Sequence, residues 1–214
     1  MTARIVILTH DAPVSQIAQQ ASAVIRAGNL IIFPTDTVYG LGADPENEQA
    51  VTALFTAKGR AAEKPIAVLA SDICQAKRWA VFSPMAETLA AAFWPGPLTL
   101  VLPPTPSAPA WLIKKGIGMR VPGDPFTRRL CDATGGLIAT TSANLSDARA
   151  PESIDEFLAI FGEEAELIIF RQDAGVGTAA STVMDLCDDR PVLRRTGSIT
   201  PTMIERILLE VGFS

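Results

Sequence analysis

The sequence predicts an α/β fold of the α+β kind: one domain, 1–214, in which a twisted sheet of parallel and antiparallel strands is flanked by helices. Three observations predict it. Apolar runs of strand length recur at 5–8, 30–33, 66–70, 98–102, 117–121, 137–141, 167–170, 182–186 and 192–193. Helical patterns separate some of these runs, while other neighbours lie too close for a crossover helix. That irregularity argues against a regular Rossmann or barrel succession. Finally, 48% of the 214 residues are hydrophobic, enough for a substantial core.

Taken in order, the run at 5–8 is short and is broken at once by His10-Asp11, so it reads as a first strand rather than a signal peptide. Ile17, Ala21, Val24 and Ile25 follow helical spacing, with Gly28 as terminator. After the strand at 30–33, Pro34 to Gly42 reads as a turn. Val51, Leu54 and Phe55 mark a second helix whose end delivers the chain to Lys58. Further helices are expected at 86–93, 125–133, 153–161 and 202–211. Trp94-Pro95-Gly96-Pro97 and Leu102-Pro103-Pro104-Thr105-Pro106 are rigid connectors, the second an ordered loop rather than a domain linker. No apolar run approaches the roughly 20 residues of a membrane span.

Several chemistries are excluded. A formal charge of −5 argues against a broad phosphate-binding face for nucleic acid, so the cations read as a local site. Cys74, Cys131 and Cys187 are odd in number and widely spaced, which fits reduced thiols in a cytoplasm rather than a disulfide framework or zinc site. The one histidine, His10, is read as a surface or capping residue ahead of a catalytic one. There is no G-x-x-x-x-G-K-[ST], and Gly40-Leu41-Gly42, Gly116-Ile117-Gly118 and Gly175-Val176-Gly177 all lack the third glycine of a dinucleotide fingerprint. A nucleotide would have to be held by side-chain cations and hydroxyls.

Those groups are present. Lys58-Gly59-Arg60-Ala61-Ala62-Glu63-Lys64 gathers three cations at the mouth of a strand, either as a solvated turn or as a polyphosphate contact. Pro34-Thr35-Asp36-Thr37-Val38-Tyr39-Gly40-Leu41-Gly42 crowds two hydroxyls, a carboxylate and the only tyrosine into a turn that either caps the next helix or lines a site. Arg120 stands inside an apolar strand, snorkelling or aimed at an anion. The strand at 137–141 runs into Thr140-Thr141-Ser142-Ala143-Asn144-Leu145-Ser146, a dense polar rim. Ser181-Thr182-Val183 and Arg194-Arg195-Thr196-Gly197 set hydroxyls and cations beside further strands.

Along the chain, the Pro34–Leu41 turn, Lys58-x-Arg60 with Lys64, Phe93-Trp94-Pro95-Gly96-Pro97-Leu98-Thr99, Met119-Arg120-Val121-Pro122 and Thr141–Ser146 follow the order that makes the chain resemble the YrdC-like family from about residue 17 to 199. That family makes threonylcarbamoyl-adenylate and pyrophosphate from L-threonine, bicarbonate and ATP, the first step of the N6-threonylcarbamoyladenosine modification of tRNA. The resemblance implies a concave, positively charged cleft. Lys58 and Arg60 would be catalytic, and with Lys64, Ser142, Asn144 and Arg195 would hold ATP. The doubled arginine leaves Arg194 open, although spacing to Gly197 favours Arg195. Thr37, Arg120, Thr140 and Ser181 would hold L-threonine, and Mg2+ would ride on the phosphates without a dedicated protein cage. It also implies a single-domain form without the longer branch's extra C-terminal domain, a cytoplasmic location without a membrane, and tRNA and downstream threonylcarbamoyl-transfer proteins as partners. The chain differs from that branch at Lys64 (often Asn), at Ala180 (often Glu) and near Leu69 (often His). Two rivals stay open: an RNA-binding module without turnover, and a carbamoyl-adenylate enzyme of the same fold with another substrate.

Overall fold

The computed structural model describes residues 3–59, 66–145, 148–172, 176–177, 179–188 and 190–213. Arg60 and Lys64, two of the expected phosphate contacts, lie outside the described residues, as does Ser146.

Among the described residues, ten strands form one sheet: β1 (Arg4–Leu8), β2 (Leu30–Phe33), β3 (Gly40–Ala43), β4 (Ala67–Ala70), β5 (Leu98–Leu102), β6 (Ile117–Arg120), β7 (Leu137–Ser142), β8 (Ala165–Arg171), β9 (Thr182–Asp185) and β10 (Val192–Arg195). Their order is β1-β8-β2-β3-β7-β4-β6-β5-β9-β10. Parallel pairs (β1/β8, β2/β8, β4/β6, β5/β9) share the sheet with antiparallel ones, so it is mixed, as expected. The helices are α1 (Val14–Arg26), α2 (Glu48–Ala57), α3 (Ile73–Lys77), α4 (Pro84–Phe93), α5 (Pro125–Ala133), α6 (Ile154–Phe161) and α7 (Pro201–Glu210). None is long and apolar enough to cross a membrane.

Local chemistry sets the helix boundaries. Asn47, Asp72, Ser83, Asp124, Ser153 and Thr200 each accept a backbone N–H of the first turn of α2 to α7 in turn. Proline opens α4, α5 and α7, where its missing N–H leaves no helical bond unmade. Gly28, at φ +86°, turns the chain out of α1. The Pro-rich 102–106 segment is an ordered loop, tied by Val81 N–H to the Pro103 carbonyl (2.8 Å) and Thr105 N–H to the Trp79 carbonyl (2.9 Å).

Two elements depart from the expected list. The turn after β2 is confined to 34–39, and Gly40–Ala43 pair as β3 between β2 and β7. Glycines weaken a strand by propensity. Here they make room for a ring: a Cβ on Gly42 would stand 2.6 Å from Phe33 Cε1, and one on Gly40 would stand 3.0 Å from Phe33 Cζ. The short α3 has too few turns to show apolar periodicity.

Strand alternation divides the core into two faces. Leu30, Ile32, Leu41, Val68, Ala139, Leu100 and Met119 point to one face, packed by α2, α4 and α6. Ile31, Phe33, Ile138, Leu69, Leu167 and Ile169 point to the other, where α1 and α5 cover them through Ile17, Ile25, Phe126 and Leu130. The cover does not extend along the whole of that second face.

Candidate functional site

Where α1 and α5 end, the second face opens into a cleft of roughly 250 Å³. Its floor follows from register. Thr140, Ala67, Gly118 and Val101 are cross-strand neighbours on β7, β4, β6 and β5, and Gly42 on β3 continues the row beneath Phe33, outside the cleft. The next row on the same face carries Ile138, Leu69 and Arg120, and beyond β5 it reaches Val183 and Arg195. Arg120 and Arg195 thus face one cavity from β6 and β10, three strand spacings or about 14 Å apart at Cα.

Arg120 is buried and held at three points. Its Nε–H donates to the Gly96 carbonyl (3.1 Å), Nη1 donates to Thr37 Oγ1 (2.8 Å), and Nη2 pairs with Asp36 Oδ1. A guanidinium has five N–H donors, so two have no partner among these contacts, on a side chain that lines the cleft. Burial pushes its pKa down while Asp36 works to raise it. Thr35 Oγ1 donates to the Val38 carbonyl (2.6 Å), which commits its one proton. The Thr37 hydroxyl, 3.0 Å away, therefore donates to Thr35 and presents its oxygen to Arg120. The 34–39 turn is a support for that arginine, rather than a helix cap.

At the opposite wall a bulge at Arg194 brings two guanidiniums to one side of β10. Arg194 clasps Asp185 Oδ2 (2.8 and 3.1 Å). Arg195 donates to the Ser181 carbonyl (2.9 Å) and Ser181 Oγ (3.1 Å) and lines the cleft. Of the doubled pair, Arg195 is the one in the cavity wall. Ser181 Oγ also bonds Thr99 Oγ1 (2.8 Å), and Thr140 Oγ1 donates to the Leu41 carbonyl (3.2 Å).

Lys58, at the end of α2, is 4% exposed and does not line the cleft. Its ammonium donates to the Ser142 carbonyl (2.7 Å), Asn144 Oδ1 (2.9 Å) and Ser142 Oγ (3.3 Å). Asn144 Nδ2 in turn donates to the Leu145 and Ala148 carbonyls. Lys58, Ser142 and Asn144 thus form one knot at the rim, with Ser142 reaching the cleft. Tyr39 also borders the cleft, but its ring stacks on Phe170 and meets Phe157 edge-on, and its oxygen accepts the Arg171 N–H (3.0 Å). Burial raises its pKa, so it is a neutral anchor.

The structure therefore brings Thr37, Arg120, Thr140, Ser142, Ser181 and Arg195 around one cavity, with Lys58 and Asn144 at its edge. Among the described residues two guanidiniums line the cleft, one of them paired with Asp36. Sequence reasoning gave no role to Thr99, Ala67, Gly118 or Asp36. One signal was available: Gly118 and Thr99 stand one pleat from residues already singled out, which places Gly118 on the face of Arg120.

Residues 23–197 match the profile of the Sua5/YciO/YrdC family, described by the words "Telomere recombination". The chain belongs to this family. Among Sua5/YciO/YrdC relatives, threonylcarbamoyl-AMP synthase of Bacillus subtilis is 38% identical over 90% of this chain and 56% of its own length. The Halorhodospira halophila protein of the same name is 36% identical over 71% of this chain and 81% of its own. Crystallographic Pyrococcus abyssi Sua5, complexed with L-threonine, superposes with a TM-score of 0.88 at 35% identity, over 96% of this chain and 61% of that one. Escherichia coli YciO superposes with a TM-score of 0.85 at 26% identity, over 94% of this chain and 99% of its own. The chain spans a little over half the length of the Bacillus and Pyrococcus relatives.

Proposed function

We propose that this chain is an L-threonylcarbamoyladenylate synthase, a cytoplasmic nucleotidyltransferase acting on L-threonine, bicarbonate and ATP. The observation that carries the reading is the pairing, in one small cavity, of an arginine with two N–H donors left over and hydroxyls from separate segments of the chain. Such a site fits a carboxylate and a hydroxyl on one small ligand. The relatives' shared name and the L-threonine complex of the Pyrococcus protein support the same assignment.

In this reading Arg120 takes the threonine carboxylate in a two-point contact, and Thr37, Thr140 and Ser181 surround its polar groups. The amine condenses with bicarbonate, releasing water, to give a carbamate. A carbamate oxygen then bonds to the α-phosphorus of ATP as the bond to the bridging oxygen breaks and pyrophosphate leaves. Neutralising that departing charge and holding the line of attack are the protein's contribution. Arg195 and Ser142 contact the nucleotide from the cleft. Lys58 and Asn144 serve the phosphates at the rim, with phosphate oxygens taking over part of what Lys58 gives to Ser142, and Arg60 and Lys64 are assigned to the phosphates by the family resemblance. Mg2+ accompanies the phosphates as part of the substrate. The product would feed tRNA modification through a protein that transfers the threonylcarbamoyl group.

The test is pyrophosphate release across all twenty amino acids, with and without bicarbonate, followed by mass identification of the adenylate. Release that needs both L-threonine and bicarbonate supports the assignment. A different preferred amino acid would make it a same-fold enzyme of another specificity, and salt-sensitive RNA binding without ATP use would make it a binding module.

A further inference from the structure

We infer that Gly118 sets the size of the amino-acid pocket, its missing side chain leaving the space in which the substrate's side chain lies. The inference rests on the synthase reading and concerns the same cleft. Gly118 is buried in the middle of β6, where glycine weakens a strand and an apolar residue with a Cβ would be favoured. Its backbone is not in the left-handed region, so no turn demands it. A Cβ built there would lie 3.7 Å from Ala67 Cα, Ile66 O and Thr99 Cγ2, which is ordinary contact. The protein's own packing therefore gives no reason for the glycine.

Gly42, in the same cross-strand row, is a control within the fold. There the ring of Phe33 already occupies the place of a Cβ. At Gly118 the place opens into the cleft, which its backbone lines between Ala67 and Val101. A glycine inside a strand, free of internal crowding and facing a cavity, marks a close approach by a ligand.

The ligand part follows from its neighbours. Arg120, assigned to the carboxylate, is two residues along the same strand face, about 7 Å away at Cα. Ala67, Val101 and Val183 offer methyl groups to whatever rests on Gly118. That surface suits the methyl-bearing side chain of the amino acid and does not suit a phosphate.

Gly118→Ala tests this by separating fold from function. The variant should melt at or above the wild-type temperature, because alanine fits the strand and restrains the unfolded chain. Its threonine KM should rise about tenfold or more, the scale of one methyl group in a fitted pocket, with the ATP KM within about twofold. Ala67→Val, on the neighbouring strand, should shift the same constant in the same direction. An unchanged threonine KM in an active Gly118→Ala enzyme overturns the inference alone, as does an equal rise in both KM values or a clear fall in melting temperature. Wild-type protein that releases no pyrophosphate with any amino acid overturns the synthase reading, and the inference with it.

Discussion

One face of the sheet is used in two ways. Beneath α1 and α5, Ile31, Phe33, Ile138, Leu167 and Ile169 are sealed by Ile17, Ile25, Phe126 and Leu130. A few strands away the same face carries Ala67, Gly118, Thr99 and two arginines, and it is open. The backbone geometry is shared and the side chains differ. Large apolar residues attract a helix because covering each stabilises by about 1.5–3 kcal/mol. Small and hydroxyl-bearing residues offer a helix little. The cleft is therefore a region the helices have no energetic reason to cover, and the buried Thr35, Thr37, Thr99, Arg120, Thr140 and Ser181 line it.

The largest effects are expected from the cations assigned to the phosphates. Lys58→Ala should lower pyrophosphate release by 100-fold or more, the scale of losing one preorganised charge contact, and Arg60→Ala likewise. Near-normal rates in both would leave the phosphates to other groups. Arg120→Ala should raise the threonine KM at least tenfold, about 1.4 kcal/mol, while moving the ATP KM far less. Arg120→Lys should recover little, because an ammonium keeps the charge but loses the fork that Thr37 and Asp36 orient. Equal effects on both substrates would place the arginine elsewhere.

In the closed half the expected losses are of stability. Gly42→Ala forces a methyl group to within 2.6 Å of Phe33 Cε1 and 3.2 Å of Ile138 Cγ2, so denaturant unfolding should show about 1–3 kcal/mol of destabilisation. A neutral result would remove the contrast with Gly118. The smallest effect is one of pH. Burial, then Asp132, pushes the Cys131 thiol above its ordinary value of 9.0. Below that value the thiol is neutral in folded and unfolded chains alike. Above it the unfolded chain loses the proton first, so stability falls as the pH climbs past 9. Melting curves of Cys131→Ala should show a shallower alkaline decline than wild type, whatever their absolute midpoint.

The same contrast explains what the sequence made legible. Residues in the closed half announce themselves, since apolar runs at 30–33 and 137–141 and the spacing of Ile17, Ala21, Val24 and Ile25 are direct imprints of burial. Arg120 stood out as a charge in an apolar strand. Gly40–Ala43 did not read as a strand, because the ring that supports it belongs to Phe33 on the neighbouring strand. Asp36 and Thr35 were visible as a polar turn, yet their service to Arg120 spans 83 to 84 residues of sequence for the bonds made by Thr37 and Asp36. Thr99 and Gly118 carried no signal alone. The spacing to Arg120 gives Gly118 its face, but that Thr99 and Gly118 both border one cleft comes from register among β5, β6 and β9.

The most direct measurement is pyrophosphate release by the wild-type protein with ATP, L-threonine and bicarbonate, each omitted in turn. The open half of the face, as assigned, predicts release only when all three are supplied, and its collapse in Arg120→Ala at low threonine. Release that persists without threonine, or none with all three present, would contradict it.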